Sequence, residues 1–585
     1  MGSDTKSFNR LFIVYVVCSL AAVFYLPLLV AVAPSTSPSY LFGYNNRAGI
    51  ALLLTAVVLG AVWAKGLRLQ FLHASCSRRV PPGILAGCVA AICCGCLLMY
   101  LFAGRYGGFG ESSYGIDRAW LLSQGKVPNV DFEWTYGALF IYGPVFIQRL
   151  LPITIAQAYY IFWALNFVIG TLLLCEVVDL VNYPTGSKKS IFLLLFVSGF
   201  PAIICMGASY TFLRYVCPLF FILIFQKVWS SDRGWSSAKA VSCAAAFAAV
   251  LVLISPETAI AFSFASLCIC LLPIPGSRRK PVSAQVGLFA VLAVVFLAAA
   301  RLHALDMLRD AGSGANSFPI FAAPHILFFF AALFVCACYV FWRFSQGERV
   351  DNTIGLIAYS IPMLAAALGR CDPGHVFWNG EGIVLASMLY VSNHELAWKW
   401  YRGTFLTIAV LTTLTGLLCY LPFFGRVRIG DGWRNDPQEK VDFRSLYPSW
   451  HRTFLAPLGY KPNGLGSYLS QEVDYGYFEA FLDADTEAAI QVKVAEIKNH
   501  PEKALLLPDH FERACQVSPS GQKVVISVLF GFPYFGHAVH PQSIVEPVCD
   551  YILRNYRLEQ SPNPQNFGYG LWVAKSGEQA TLRSD

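Results

Sequence analysis

Four carboxylates sit in one short polar segment: Glu111-Ser-Ser-Tyr114-Gly-Ile-Asp117-Arg118-Ala119-Trp-Leu-Leu122-Ser-Gln-Gly125-Lys126-Val-Pro128-Asn-Val-Asp131-Phe132-Glu133. A carboxylate facing an aqueous pocket can take a proton from an acceptor hydroxyl when it is held within about 3 Å of it and its neighbours tune its acidity. Any one of these acids taken singly reads more simply as an exposed loop residue. A second polar interruption is the turn Gly369-Arg370-Cys371-Asp372-Pro373-Gly374-His375, which sets a cation, an acid and a histidine between two apolar runs. That composition is costly unless it lines a cavity. Ser255-Pro256-Glu257 breaks a third apolar run, and Ser209 to Arg214 a fourth.

The elements that must hold these residues are membrane helices. Of the 585 residues, 56% are hydrophobic and 13% charged, against about a quarter charged in soluble domains. The apolar residues cluster in uncharged runs such as Gly83 to Phe102, Ile155 to Cys175 and Ala284 to Ala300, each near the roughly 20 residues that cross a bilayer core. Candidate spans cover 11–33, 48–64, 83–104, 155–181, 190–208, 214–228, 238–254, 258–274, 284–302, 323–343, 353–369, 380–397 and 403–424, about 13 in all. The first follows Lys6 and Arg10 and reads as a retained signal anchor, because further spans follow at once.

Orientation comes from the basic loops. Lys65 to Arg79, Lys188 with Lys189, Lys227 with Arg233, Arg278 to Lys280, Arg343 with Arg349, and Lys399 with Arg402 mark every second loop, which predicts a cytoplasmic amino terminus. The net charge of +8 is then a topology signal, and no nucleic-acid partner is expected. The outer side receives the loop 105–152, the turns at Ser209 to Arg214 and Ser255 to Glu257, and the segment Gly369 to Glu381. Residues 1–424 form the transmembrane domain, and 425–585 an extramembrane α/β domain on the outer side. Within that tail Lys503 to Leu507, Val524 to Phe530 and Gly568 to Ala574 read as strands and Val545 to Asn555 as a helix. The architecture expected is therefore an α-helical polytopic membrane protein with a carboxy-terminal α/β domain.

Most of the 18 cysteines fall inside apolar runs and read as small core residues. Cys515 and Cys549 lie in the polar tail, where an oxidising compartment can join them. No metal is expected to be required: Asp131 and Glu133 are two acids with no evident third ligand. No cofactor motif is found. The tail carries no Gly-rich phosphate loop, and its aromatics, Trp433, Trp450, Tyr475, Tyr477, Phe532, Tyr534 and Trp572 among them, suit either core packing or stacking on a sugar face.

The loop opening at Glu111 resembles that of the GT-C superfamily of membrane glycosyltransferases, which use polyprenyl-phosphate-linked sugars. Many bacterial members begin their first large outer loop with an acid, then a Tyr three or four on, an Ala at eight, paired Leu, a Gly at fourteen, and Pro followed by Asp-Phe. Glu111, Tyr114, Ala119, Leu121 with Leu122, Gly125, Pro128, Asp131 and Phe132 fall on that pattern without a gap, and Tyr142-Gly143-Pro144 is similar to the aromatic-Gly-Pro that closes the family's loop. The resemblance covers chiefly Glu111 to Pro144 and the helical layout around it, and says little about the tail. It implies a GT-C-like fold and an inverting transfer in which the first acid is the base. The family usually has Asp there and this chain has Glu111, so Asp117, six residues on, is the rival; register favours Glu111.

A lipid-phosphate leaving group gains negative charge in the transition state, and fixed cations stabilise it. Arg214 and Arg370, at the outer ends of spans, are the candidates to do this, with His375, Lys126 and Arg118 behind them. The turn Arg370-x-Asp372-x-x-His375 also resembles one found in some bacterial members. An arginine at a helix end serves equally as a snorkelling anchor, and a turn histidine as a satisfied structural residue. Glu257, Asp372, Asp131 and Tyr114 are the candidates for substrate contacts; Glu257 can instead hold Arg214 or Arg370 in place, or act in a helix cap.

The leading expectation is a sugar transferase working at the outer face of a bacterial cytoplasmic membrane, taking its sugar from a polyprenyl-phosphate donor and passing it to a lipid, glycan or protein acceptor. Membrane lipid is the other partner. A secondary transporter or flippase explains polar residues among many spans, but transporters gather theirs near the midplane and often carry inverted repeats. A non-catalytic scaffold that binds glycan through its tail is the third reading.

Overall fold

In the computed structural model the residues described are 2–32, 39, 43–64, 79–102, 111–128, 132, 134, 136–181, 187–199, 207–230, 236–271, 281–301, 305, 308, 317–320, 322–345, 353–392 and 395–424, and, in the tail, 454–455, 473–474, 491, 494–495, 497–499, 504–508, 520–526, 534–539, 542–561 and 569–575. The uncharged runs fold as helices, since in an apolar surround every backbone group must find its partner within the segment. In chain order these are α1 (Gly2–Tyr25), α2 (Asn46–Ala64), α3 (Pro82–Phe102), α4 (Glu111–Ser123), α5 (Ala138–Leu150), α6 (Ile155–Leu180), α7 (Ser187–Ser198), α8 (Phe212–Trp229), α9 (Ser236–Ile254), α10 (Pro256–Leu271), α11 (Val282–Arg301), α12 (Pro324–Ser345), α13 (Ile354–Arg370), α14 (Pro373–Asn379), α15 (Glu381–Val391) and α16 (Glu395–Phe424). Among the described residues eight helices are long and apolar enough to cross a bilayer, and α5, α10, α13 and α15 are shorter apolar helices. The chain is thus an α-helical, multi-pass membrane protein.

One stretch differs from the sequence expectation: the loop 105–152 contains two helices, α4 and α5, of which α5 is itself apolar. Within the run 190–208, α7 extends to Ser198, and 200–206 lie outside the described residues.

Exposure separates an outer girdle from an inner core. On α11, Val282, Val286, Phe289, Val294 and Leu297 are exposed, as expected of side chains facing lipid tails. Helix α8 is the opposite case: it packs against α6, α9, α10, α13 and α15, and Arg214, Tyr215, Val216, Cys217, Pro218 and Leu219 are all buried in succession. Helix α6 begins with a capping box. The Thr154 hydroxyl accepts from Gln157 N at 3.2 Å, and the Gln157 side-chain oxygen accepts from Thr154 N at 3.0 Å, so two donors of the first turn are satisfied reciprocally.

Among its described residues the tail has helix α17 (Gln542–Asn555) and seven strands: β1 (Phe454–Leu455), β2 (Val473–Asp474), β3 (Ala504–Pro508), β4 (Ser520–Ile526), β5 (Tyr534–Val539), β6 (Tyr556–Gln560) and β7 (Tyr569–Ala574). Five of them make a sheet of order β2-β1-β3-β7-β6, with β1 parallel to both neighbours and β7 antiparallel to β3 and β6; β4 and β5 pair separately. Val494, Ile497, Leu505, Leu507, Val548, Ile552 and Trp572 form its core. Cys549 is disulfide-bonded. Cys515 lies outside the described residues.

Candidate functional site

Arg214 enters the core because it lies in the first turn of α8, with its N–H on Thr211 O at 3.1 Å. A cation at that end opposes the helix dipole and an acid favours it. The pairing observed answers both: Glu257, in the first turn of α10, forms an ion pair with Arg214. The rest of the guanidinium is held as well, Nε donating to Ser255 Oγ at 2.9 Å and Nη1 to Ser209 O at 3.1 Å, while the Ser255 hydroxyl donates to Glu257. Three tyrosine rings surround it, Tyr136, Tyr215 and Tyr210, with centroids 5.1, 5.1 and 5.5 Å from its central carbon.

A second cluster sits at the carboxy-terminal end of α13. Asn46 Nδ2 donates to Leu368 O and Gly369 O at 3.2 and 3.1 Å, closing the helix end. Cys371 then adopts a left-handed conformation with φ of 55°, which costs a non-glycine residue about 1–2 kcal/mol and turns the chain sharply into α14. His325 of α12 bonds the Cys371 carbonyl at 2.7 Å. Asp372 is the N-cap of α14, its Oδ1 accepting from His375 N at 3.0 Å, with Pro373 at the first helical position. Its other oxygen lies 2.6 Å from His375 Nδ1 and 3.9 Å from Arg370 Nε. Nδ1 finds no hydrogen-bond partner of good geometry, so the His375 approach is a close polar contact. Burial favours the neutral form of Asp372, but His375 and Arg370 outweigh this and hold the carboxyl below its ordinary value of 3.8.

Tyr210 joins the two clusters. Its hydroxyl is 2.7 Å from His375 Nε2, and its ring faces Arg214. The turn that carries it is tied down by Ala208 N, which donates to the Tyr159 hydroxyl of α6 at 2.8 Å. From Tyr210 an aromatic row runs on to α4. Tyr136 lies 6.2 Å from Tyr210 and 6.2 Å from Tyr114, and Tyr114 stacks on Trp134 at 5.6 Å and beneath Arg118 at 4.2 Å. Gly137 makes this approach possible: a Cβ there would sit 2.1 Å from Ile254 O, so only glycine lets the start of α5 meet the end of α9. Between Tyr114, Gly115, Tyr136, Tyr159, Ala208 and Ser209 lies a cavity with about 210 Å³ of non-atom space, part of it open to solvent.

The structure thus brings together Arg214 with Glu257, Arg370 with Asp372 and His375, and Tyr114 with both through the tyrosine row. Glu111 opens α4 and Asp117 lies within it; six residues apart, their positions are about 120° apart around the helix axis. Lys126 is exposed in the turn that ends α4. That turn is a Schellman motif, with Lys126 N on Leu121 O, Gly125 N on Leu122 O and Gly125 at φ +86°. Asp131 and Glu133 lie outside the described residues. Among the described residues no group of three or more His, Cys, Asp or Glu could hold a metal ion. Tyr210 and Tyr136 were not singled out from sequence; the signal available was a tyrosine four residues before Arg214 in an already unusual polar turn.

A larger, apolar pocket with about 600 Å³ of non-atom space, part of it open to the surroundings, lies along α14, walled by Phe328, Phe329, Val376, Phe377, Trp378 and Phe405. Pro373, Gly374 and His325 also line it, so it begins where the Asp372 cluster ends.

No protein-family model and no curated protein matches the chain. Among solved structures it is similar to the crystal structure of ArnT from Cupriavidus metallidurans bound to undecaprenyl phosphate, with 11% identity, a TM-score of 0.43, and coverage of 78% of this chain and 98% of that one.

Proposed function

We propose that this protein transfers a sugar from a polyprenyl-phosphate donor to a hydroxyl of a lipid, glycan or protein acceptor at the outer face of the membrane. The observation that carries the proposal is the convergence on Tyr210 of Arg214 with Glu257 and of Arg370 with Asp372 and His375, from helices far apart in sequence. Charges drawn from separate spans into one place are costly in a membrane protein and mark a working site.

The donor side has two halves. Arg370, with its side chain 30% exposed, is the cation a phosphate can reach in this cluster, with His375 across Asp372 from it; exposed Lys126 is the second candidate. Arg214 is already occupied by Glu257, Ser255 and Ser209 and acts by holding Tyr136 and Tyr210 in position. The apolar cavity behind α14 is where the first prenyl units would lie, because its wall is continuous with the turn that carries Asp372. A prenyl chain is the occupant whose charged end would then reach Arg370.

On the acceptor side α4 supplies the base. Position 111 lies three and four residues before Tyr114 and Gly115, which line the smaller cavity, and such spacings share a helix face. Position 117 lies three residues after Tyr114 but on the far side of the helix from Gly115, about 160° around the axis, so it shares that face only at Tyr114. Glu111 therefore takes the proton while the acceptor oxygen attacks the anomeric carbon, the bond to phosphate breaks and configuration inverts; Asp117 is the alternative. The disulfide at Cys549 supports a tail in an oxidising compartment outside the cytoplasm.

Purified protein in lipid nanodiscs, given polyprenyl-phosphate sugars and candidate acceptors, should release polyprenyl phosphate. Glu111→Gln should abolish turnover and Asp117→Asn retain it. The reversed pattern would make Asp117 the base. Solute flux in liposomes without sugar transfer would replace the enzyme reading with transport.

A further inference from the structure

Glu381, in the first turn of α15, is a buried carboxyl that takes no part in the site described above. It is 1% exposed, neither of its oxygens has a hydrogen-bond partner, and no opposite charge acts on it among the described residues. Gly382 brings it there. A Cβ at that position would meet Ser360 Oγ at 2.4 Å and Leu356 O at 2.8 Å, so glycine lets the start of α15 lie directly on α13. Next to Ser360, Tyr359 is 2% exposed, and its hydroxyl is also unpartnered and within electrostatic reach of Glu257, Glu381 and Arg214. The second oxygen of Glu257, the one Arg214 does not engage, is buried and unpartnered too.

The charges where α8, α10, α13 and α15 meet do not balance if every acid is ionised. Arg214 is the cation, and each of its nitrogens is engaged, by Ser255, Ser209 and Glu257. A further carboxylate with no cation of its own is costly to bury, and such a group keeps its proton instead. A neutral acid, unlike a carboxylate, has a hydrogen to give. Its O–H can donate to the Tyr359 oxygen, and the Tyr359 O–H to the second oxygen of Glu257, directly or through a bridging water. That sequence gives a partner to each of the three groups at once.

We propose that Glu381 is held as a neutral carboxylic acid and is a positioning residue: its proton leaves Arg214 to Glu257 alone, and so keeps Tyr136 and Tyr210 where Arg214 holds them. Loss of the proton sets two carboxylates competing for one guanidinium, and the grip on the tyrosine row is divided. Glu381 touches no substrate. The titratable and charged groups facing the first turns of α15 are Tyr359 of α13, Arg214 with Tyr215 of α8 and Glu257 of α10 behind, Cys336 of α12, whose thiol donates to Ile383 O at 3.6 Å, and Tyr401 of α16, whose hydroxyl is 2.6 Å from Ser387 Oγ. Arg370 and His375, before and within α14, lie against Asp372.

The test uses the full chain in dodecyl maltoside micelles, which carry no ester carbonyl, and reads the infrared carbonyl stretch of protonated carboxylic acids at pH 7. Wild type should show one such band that is absent from Glu381→Gln and present in Glu257→Gln. An acid neutral in the folded chain and ionised in the unfolded one, above the ordinary glutamate value of about 4.3, makes stability fall as pH rises. The melting temperature of Glu381→Gln should therefore gain on wild type by about 1 °C for each unit between pH 5 and pH 7. Only the third readout rests on the sugar transfer proposed above: wild-type turnover should fall on the alkaline side as Glu381 ionises, and that fall should be missing from Glu381→Gln. No difference in the acid band, or a melting gap that does not change with pH, would overturn the neutral acid whatever the substrate. The band together with the same alkaline fall in both proteins would overturn the positioning role. No turnover by wild type would overturn the transfer reading and the positioning role with it, while the band would still assign the proton.

Discussion

Replacing Glu257 by Gln removes one charge and almost no volume from the ion pair that joins the first turns of α8 and α10, and the cost can be worked from the contacts of Arg214. That guanidinium is 6% exposed and keeps its bonds to Ser255 Oγ at 2.9 Å and Ser209 O at 3.1 Å when Glu257 is neutralised. What it loses is its counter-charge. Breaking a buried ion pair from one side costs about 3–5 kcal/mol, and the hydrogen bond the amide can still accept offsets about 1 kcal/mol, so Glu257→Gln should cost about 2–4 kcal/mol. Arg214→Met should cost about as much, because it strands the Glu257 carboxylate. The double variant removes both charges and should cost far less than the sum, since replacing a buried pair with neutral side chains is often close to neutral. At roughly 2.1 cal/mol/K of unfolding entropy per residue, about 1 kcal/mol moves the melting temperature of a chain this long by about 1 °C. Melting in detergent micelles at one heating rate should then fall by about 2–4 °C in each single variant and by no more than that in the double. Additive losses, or no measurable drop in the single variants, would show that the two charges are solvated separately and that the pair does not organise Tyr136 and Tyr210.

Three further outcomes follow from individual contacts. Gly137→Ala should push α5 away from α9, because its Cβ would meet Ile254 O at 2.1 Å; overpacking of this kind costs about 1–3 kcal/mol, and turnover should fall more steeply than melting temperature because Tyr136 moves with the helix start. Thr154→Ala removes the capping box of α6 and should cost about 1 kcal/mol, read as a fall in melting temperature with turnover retained at low temperature. Asp372 lies in the turn between α13 and α14, outside the spans, with its folded value below the ordinary 3.8. Its contribution to stability is therefore complete above that ordinary value and lost as pH falls through the lower folded one. Melting temperature measured downward from pH 5 should decline more steeply in wild type than in Asp372→Asn.

The membrane architecture was legible in the chain itself, because the constraint is local. A run of uncharged apolar residues near 20 long has to become a helix wherever it meets hydrocarbon, and this needs no knowledge of what packs beside it. Secondary structure in the tail was legible for a similar reason: β3, β7 and α17 lie on Lys503 to Leu507, Gly568 to Ala574 and Val545 to Asn555, where apolar runs and spacing pointed to them. The unusual polar turns were visible too, since a charge among apolar residues stands out whatever its role.

Which of those polar groups meet was decided by the tertiary structure alone. Arg214 and Glu257 are 43 positions apart, and Tyr210 and His375 are 165 apart; no periodicity links such residues, because the link is made by α8, α10 and α14 packing together. Tyr210 looked like one more aromatic until the turn at Ala208 and the bend at Cys371 set its hydroxyl against His375. Glu381 is a further case, a carboxyl 1% exposed with neither oxygen bonded among the described residues, although its sequence position suggested the end of an outer turn. Burial is a property of all the surrounding helices at once. Charge and hydropathy can name the groups that must be accommodated, but only packing assigns each its partner.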